Sequence, residues 1–299
     1  MSSSTLSPTA TPRVMDLSHR FRWRTLFSRT MDCLVALVTL AALVPLVSVL
    51  YMVVSKGAGN FRWSMLWELP PAANTVGGGF GNALVGTLLL VTIGTVVSVP
   101  IGILTAIFLT EYSAGSKSAR VIRFAAKILS GLPSILAGVF IFVIIIANAK
   151  NYYALSGGLA LGILMLPIII LATEEALLRV PRYLREASLA LGANRTQTVL
   201  SITLPAAAPA IITGVMLAVA RAAGETAPII YTATFFSFWI PNLSQALTGR
   251  TASMAVLIYQ SGIMPYANMI NLAWTASFVL ILLVLVTNIV SHVVANRSK

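Results

Sequence analysis

Long runs of uncharged, apolar residues are the feature that most restricts how this chain can fold. A helix that crosses the hydrocarbon core of a bilayer needs about 20 mostly apolar residues. Only 9% of the 299 residues are charged, whereas an ordinary soluble domain is about 25% charged. We therefore predict an all-α polytopic membrane protein and exclude an ordinary soluble enzyme. Six runs are long enough to be transmembrane helices: 33–54, 84–110, 128–147, 155–173, about 206–223 and about 272–290.

Two further apolar stretches lie between the fifth and sixth predicted spans. The stretch 226–249 is uncharged, so a seventh span is conceivable, but it contains Pro228, Pro241 and a polar patch. We interpret it as a helix break, an outer-face loop and a short interfacial helix. The apolar run 254–259 indicates a helix or interface element on the same side of the membrane.

The positions of the basic residues predict the orientation of the chain. The sequence has 20 Lys and Arg residues against 8 acidic residues, a net charge of +12. Fifteen of the twenty fall on one side of the six predicted spans, and Arg221 falls inside a span. Cytoplasmic loops carry an excess of Lys and Arg, so both termini are predicted to be cytoplasmic. The charge excess is then a topology signal, and no nucleic-acid partner is expected.

The chain is predicted to consist of a tail and one membrane domain. Residues 1–30 are rich in Ser, Thr and Pro and carry several arginines, which predicts a disordered, basic cytoplasmic tail. Residues 31–299 form the transmembrane domain, with a cytoplasmic loop at about 174–205.

No metal or cofactor site is expected. Cys33 is the single cysteine, and the two histidines, His19 and His292, lie at opposite ends of the chain. The nearest match to a Walker A motif, at 115–118, lacks the glycine directly before its lysine. If ATP drives this protein, another chain binds the ATP and its Mg²⁺.

The loop after the fourth span has the signals of a short helix. Pro181 suits a helix start and Gly192 a helix stop. Leu184, Ala187 and Leu191 are predicted to share one face. Such a helix either lies flat on anionic lipid or is covered by another protein.

A charged pair lies inside the fifth span. If the fifth span enters the bilayer near Ala206, Arg221 lies about 22 Å along it. The hydrocarbon core of the bilayer is about 30 Å thick. Charges at such depth usually face a bundle interior or a water-filled path. Arg221 and Glu225 share a helix face, so they either neutralise each other structurally or line a path. Base before acid is the weaker order for such a pair, and Gly224 and Pro228 weaken the helix there.

The chemistry of this pair suits an anion that must be released again. A guanidinium matches a phosphate-like oxyanion through paired hydrogen bonds in one plane. Because Glu225 partly offsets the charge of Arg221, the anion would be held weakly. A glycine-rich run at 77–81 offers an alternative phosphate cradle, but it lacks the strand–loop–helix context, so we favour a flexible lead-in to the second span.

The loop at 174–205 resembles a known coupling motif. Glu186-Ala187-Ser188, Gly192 and then Ile202-Thr203-Leu204-Pro205 resemble the EAA loop of bacterial ATP-binding-cassette (ABC) importer permeases. The resemblance implies that the loop docks in a groove of a separate ATPase subunit and transmits its closure. Ser188 stands where the pattern often has a second alanine.

A second resemblance concerns the segment from Arg221 to Pro228. Its sequence, Arg-Ala-Ala-Gly-Glu-Thr-Ala-Pro, resembles the phosphate-specific transport (Pst) permeases of the PstA type. It implies a type I ABC importer permease (MetI-like) fold in a bacterial plasma (inner) membrane. It also implies that Arg221, Glu225 and Thr226 line the phosphate path. The implied partners are a PstC-like permease as heterodimer, a PstB-like ATPase dimer and an external PstS-like phosphate-binding protein.

Together these features predict a transporter subunit rather than an enzyme. It would import inorganic phosphate by alternating access, driven by the separate ATPase. One alternative keeps the architecture and changes the cargo to phosphonate, sulfate or molybdate. Another is an ATP-independent secondary transporter, which would favour inverted repeats and further intramembrane acids.

Overall fold

The computed structural model describes residues 18–233, 235–240 and 245–297, and within these ranges the regular structure is helical. The chain divides into two units, Met1–Met52 and Val53–Lys299. The helices are α1 (Ser18–Gly59), α2 (Gly81–Tyr112), α3 (Lys117–Gly131), α4 (Ser134–Ala149), α5 (Ala154–Leu178), α6 (Arg182–Ala190), α7 (Arg195–Gly224), α8 (Ala227–Thr232), α9 (Gln245–Thr248), α10 (Met254–Ile263) and α11 (Ala267–Arg297).

The first unit contains most of α1, which begins earlier than the sequence pattern indicated. Residues 18–30, predicted to belong to a disordered tail, are helical. Once a helix has nucleated, each added residue gains a hydrogen bond at little further cost, and no proline or glycine separates Ser18 from the apolar run. The rest of the predicted tail, residues 1–17, lies outside the described part of the chain.

Five of the helices, α1, α2, α5, α7 and α11, are long and apolar enough to cross a membrane. They contain five of the six predicted spans. The remaining span, the third predicted one at 128–147, corresponds to the pair α3 and α4, which brings the number of spans to six if the pair is one crossing. The all-helical polytopic fold is therefore confirmed within the described residues.

The third predicted span is wrong as a single helix. Residues 128–131 belong to α3, and α4 starts only at Ser134, with a bend of 103° between the two helices. Leu132 has extended backbone angles (φ −72°, ψ 142°), because the ring of Pro133 disfavours a helical conformation in the residue before it. The run 128–147 is uncharged on both sides of this point, so the sequence pattern alone does not show the break in the backbone.

The centre of the second unit is built where α2, α5 and α7 pack together. Buried Leu90 of α2, Leu161 and Met165 of α5 and Ala218 of α7 belong to one apolar cluster. A Cβ atom on Gly158 of α5 would lie 2.4 Å from a side-chain carbon of Ile93. Small residues permit this close helix approach, which is how membrane helices gain van der Waals contact.

The segment after α7 contains the predicted break. α7 ends at Gly224 and α8 starts at Ala227. No helix long enough for a seventh span occurs in the described residues of 226–249. Residue 234 and residues 241–244 lie outside them.

The apolar run 254–259 forms the first part of α10. Met254, Val256 and Leu257 are buried, and the backbone N–H of Met254 donates to Thr87 Oγ1 of α2 (2.8 Å). The apolar character of this run is therefore largely explained by packing against the chain's own helices.

Candidate coupling and substrate-path sites

The predicted coupling residues lie on and just after α6. The helix begins at Arg182, directly after Pro181, and ends at Ala190. Gly192 has a φ of +86°, a left-handed conformation that glycine adopts at helix ends without a steric penalty. The local start and stop signals of the sequence thus fix both ends of this short helix.

One side of α6 is apolar and exposed. Leu184 packs partly into a cluster with Val199 and Ile211 of α7. Ala187 is exposed and Leu191 is 90% exposed, so the face predicted from the sequence is only partly covered. Glu186 is also exposed and lines an open cavity of about 390 Å³ beside Arg182 and Arg185.

Ser188 has a definite contact. Its hydroxyl lies 3.0 Å from Thr198 Oγ1 in the first turn of α7. An alanine at this position would lack that hydrogen bond. The departure of Ser188 from the usual motif therefore adds a link between α6 and α7.

Arg185 anchors α6 to the ends of two long helices. Its Nη2 atom lies 2.9 Å and its Nε atom 3.1 Å from Glu111 Oε1, in the last turn of α2. Nη1 donates to the carbonyl oxygen of Val180 and Nη2 to that of Leu177, each at 2.8 Å. The Arg185 and Glu111 side chains are 20% and 9% exposed. The guanidinium thus binds a buried carboxylate and carbonyl groups at the end of α5, where helices leave carbonyls without intrahelical partners.

The end of α2 also contacts α7. Residues Phe108–Tyr112 form a π-helical turn, a geometry that often marks functional positions. The hydroxyl of Tyr112 lies 3.0 Å from Thr196 Oγ1, and the guanidinium carbon of Arg195 lies 5.2 Å from the Tyr112 ring centroid. We call Glu111 and Tyr112 the α2 end turn. It contacts α6 through one residue and α7 through the other.

A second buried ion pair stabilises the same end of the bundle. Arg123 of α3 donates to the Glu174 carboxylate of α5, and its Nη2 donates to the Leu109 carbonyl oxygen at 3.0 Å. Glu174 is buried. This pair connects α3 to α2 and α5.

The predicted path residues lie at the break between α7 and α8. Arg221 is in the last turn of α7, and its Nε atom is 3.3 Å from Glu225 Oε1. Glu225 has extended backbone angles (φ −74°, ψ 127°), and Thr226 precedes the first residue of α8. The break predicted from Gly224 and Pro228 is confirmed, and the pair lies beside it.

Most of the donors of Arg221 are unused within the described residues. The Arg221 side chain is 52% exposed and that of Glu225 is 18% exposed. Within the described residues, Nη1 and Nη2 of Arg221 have no hydrogen-bond partner. A guanidinium offers five N–H donors, so this one can bind a phosphate-like oxyanion through paired hydrogen bonds while keeping its contact to Glu225. By contrast, the donors of Arg185 are directed at several protein oxygens.

The short helix α8 holds the break in place. A Cβ atom on Gly138 of α4 would lie 2.5 Å from the carbonyl oxygen of Pro228. Pro228 and Ile229 are buried, and Thr226 is half-buried. The Thr226 carbonyl accepts hydrogen bonds from the N–H groups of Ile229 and Ile230 at 3.1 Å.

Three of the five backbone N–H groups of the glycine run at 77–81 are used within the chain. The backbone N–H groups of Gly79, Phe80 and Gly81 donate to the carbonyls of Leu69, Met65 and Glu68 at 2.8–3.0 Å. These donors are satisfied by the preceding segment. The run provides a close turn against the short 3₁₀ helix Trp63–Leu66.

Sequence reasoning missed the roles of Glu111, Glu174, Arg123 and Arg185. The sequence pattern of Arg123 and Arg185 indicates only the orientation of the chain in the membrane. A usable signal was the position of both acids near the inner ends of predicted spans, opposite cationic loops. In the described residues, no group of three or more His, Cys, Asp or Glu side chains could hold a metal ion.

Known proteins resemble this chain over most of its length. Residues 98–299 match the family described as binding-protein-dependent transport system inner membrane component. The phosphate transport system permease protein PstA of Yersinia pestis is 38% identical over 254 residues, covering 85% of each chain. The Haemophilus influenzae PstA protein is 35% identical over 280 residues, covering 94% of this chain and 98% of that protein.

Solved structures have the same fold. A chain of the inward-facing MetNI methionine ABC transporter superposes with a TM-score of 0.58 at 20% identity, covering 80% of this chain and 100% of that chain. A chain of a bacterial ABC transporter that imports the acidic polysaccharide alginate gives 0.59 at 16% identity, covering 92% and 99%. The predicted importer-permease fold is confirmed.

Proposed function

This chain belongs to the family of binding-protein-dependent transport system inner membrane components, and within it to the PstA phosphate transport permeases; from that premise we propose that it carries inorganic phosphate across the bacterial plasma membrane as a subunit of an ABC importer. It is a transporter component, and family membership disfavours an ATP-independent secondary transporter. The positive-inside distribution of its basic residues supports cytoplasmic N and C termini.

The observation that carries the proposed substrate path is the unsatisfied guanidinium of Arg221. In the part of the chain that the structure describes, its terminal nitrogens have no partner and can bind an anion at a break in the helix, where Glu225 and Thr226 add polar groups. Arg binds phosphate-like groups through two parallel hydrogen bonds. The contact to Glu225 lowers the net positive charge, which favours release as well as binding.

Uptake of labelled phosphate by the reconstituted importer tests this path. We expect Arg221→Gln to reduce uptake at least about tenfold, because the loss of a charged hydrogen-bond donor costs about 1.5–3 kcal/mol. Arg250→Gln, which removes an exposed arginine outside the helices, serves as the control and should transport normally. Near-normal uptake by Arg221→Gln in an assembled importer would leave only a structural role for the pair.

Competition between anions tests the identity of the cargo. Unlabelled phosphate should suppress labelled phosphate uptake, while sulfate, molybdate and a phosphonate should not. If one of these anions suppressed labelled phosphate uptake as strongly as phosphate does, that oxyanion would be the proposed cargo instead. The guanidinium alone does not discriminate among them, because all present oxygens of similar geometry.

The proposed partners follow from the architecture of the importer. We expect a heterodimer with a PstC-like permease, an ATPase dimer of the PstB type that holds ATP and Mg²⁺, and an external PstS-like binding protein. The exposed apolar side chains of α6, with Glu186, Ala187 and Ser188 on the helix and Gly192 just after it, support docking of the ATPase there. Copurification of the ATPase subunit with this chain tests the assembly directly.

The contacts of α6 suggest how ATPase closure reaches the path. α6 contacts α7 through Ser188 and Thr198, and it contacts α2 through Arg185 and Glu111. Arg221 lies 23 residues beyond Thr198 on α7, about 35 Å along the helix. A tilt of α7 driven at its first turn would therefore move the guanidinium at its last turn, as alternating access requires.

A further inference from the structure

The outward face of α3 combines two chemically different rows of side chains. Val121, Phe124 and Ile128 form an exposed apolar row, with Val121 and Phe124 each 65% exposed. Arg120 and Lys127 form a basic row beside it, two turns apart. The opposite face carries buried Ala119 and Ala126, which pack with Ile170 of α5. α3 thus packs against the bundle through its small residues, and the apolar and basic rows are exposed.

The basic row borders an open cavity of about 320 Å³. Its lining is Gly115, Ser116, Arg120, Arg123, Phe124 and Lys127. Arg123 is tied to Glu174, while Arg120 and Lys127 have no acidic partner within the described residues. The helix itself contains no Asp or Glu. The cavity is therefore electropositive with one aromatic wall.

The position of α3 in the chain places this face near a membrane surface. α3 is joined through Leu132 and Pro133 to the strongly apolar α4, at a bend of 103°. A helix with a basic side and exposed aromatic and aliphatic side chains binds where lipid headgroups meet acyl chains. Basic clusters beside membrane spans bind anionic headgroups.

We propose that Arg120 and Lys127 hold the phosphodiester of an anionic phospholipid, with its acyl chains along Val121, Phe124 and Ile128. Charge complementarity selects an anionic headgroup over a zwitterionic one. The exposed apolar row selects a lipid over free inorganic phosphate, which has no group to place there. This site is separate from Arg221 and does not depend on the transported anion.

Native mass spectrometry of the purified importer tests the site. The probe is phosphatidylglycerol, offered with an equal amount of phosphatidylethanolamine. We expect the wild-type importer to retain phosphatidylglycerol preferentially. The double variant Arg120→Gln/Lys127→Gln should lower its retention about 25-fold, because each basic residue near an anionic lipid contributes about a fivefold preference.

Two controls distinguish the effect of these two charges on lipid retention from the effect of the overall charge of the protein. Arg62→Gln/Arg250→Gln removes the same charge from exposed residues elsewhere and should retain the lipid. Arg120→Lys/Lys127→Arg keeps both charges and should also retain it. An unchanged thermal midpoint in the double Gln variant shows that the fold is intact, as expected for exposed residues.

Three outcomes would overturn the proposal. The first is equal phosphatidylglycerol retention by wild type and the double Gln variant. The second is displacement of the lipid by millimolar inorganic phosphate, which would indicate a free-phosphate site. The third is loss of a partner subunit in Phe124→Ser with lipid retention unchanged, which would indicate a protein interface.

Discussion

Three arginines with identical side chains have different surroundings in this protein. Arg123 and Arg185 are bound to buried carboxylates and to backbone carbonyls at helix ends. Arg221 has one contact of 3.3 Å to Glu225 and is half exposed. A guanidinium held by a buried carboxylate and by backbone carbonyls connects parts of the fold. One with unused donors beside a helix break remains able to bind a ligand.

Glu225→Gln tests whether the carboxylate of Glu225 promotes release of the anion from Arg221. Removing its charge leaves Arg221 unneutralised, so the anion should be held more tightly and released more slowly. We expect the KM for phosphate uptake and the maximal rate both to fall, by about two- to fivefold, as for the loss of a partly exposed ion pair. Glu225→Asp keeps the charge and should change both less. Unchanged kinetics in the Gln variant would exclude this tuning role.

At the scale of elements, the α2 end turn joins helices that are distant in sequence. Glu111 binds Arg185 of α6, and Tyr112 contacts Thr196 and Arg195 of α7. The turn is therefore placed to keep α2 in register with both helices when α6 moves. The contact with Arg185 also explains why Glu111 is buried without being left unpaired.

A double-mutant cycle on Glu111 and Arg185 tests this connection. Each single Gln variant should lose about 3–5 kcal/mol of stability, since it leaves a buried charge without its partner. The double variant should lose less than the sum, because the two residues interact directly. The measurements are thermal unfolding of the purified importer and phosphate transported per ATP hydrolysed, which should fall in both single variants.

The exposed pair Arg179–Glu175 provides the matched control for that cycle. Its side chains are 73% and 67% exposed, and exposed pairs contribute little to stability. Arg179→Gln should therefore leave both readouts nearly unchanged. Additive losses at Glu111 and Arg185 would show that the two side chains act independently and are not a link.

At the scale of the whole molecule, α7 spans the distance between the two predicted sites. Thr198 lies in its first turn beside α6, and Arg221 lies in its last turn beside the break. The helix is continuous over this distance, with a π-helical segment at Val199–Thr203 and Pro209 inside it. Movement of one end of α7 can therefore be transmitted to its other end.

Charge reversal on α6 tests coupling at this scale. Glu186→Lys should uncouple ATP hydrolysis from uptake while leaving the membrane helices folded, because Glu186 is exposed and lies outside the bundle core. The assay compares ATP turnover with phosphate uptake in proteoliposomes. Glu175→Lys makes the same charge change on the exposed end of α5 and should remain coupled. An unchanged uptake rate in Glu186→Lys would count against the coupling role.

Sequence alone was sufficient where the signal is local. Apolar runs located five helices, Pro181 and Gly192 marked the ends of α6, and Gly224 with Pro228 marked the break after α7. A charge within an apolar run identified Arg221. Each of these features depends on a few neighbouring residues, whose hydropathy and backbone preferences act without distant partners.

Only the tertiary structure decided how distant residues meet. Arg185 binds a carboxylate 74 positions earlier in the chain, and three N–H groups of the glycine run donate to a preceding turn. The bend at Leu132 divides an apolar run whose hydropathy is continuous. Hydropathy measures transfer into lipid and carries no information about hydrogen-bond partners or helix direction, so these features follow from packing rather than from local pattern.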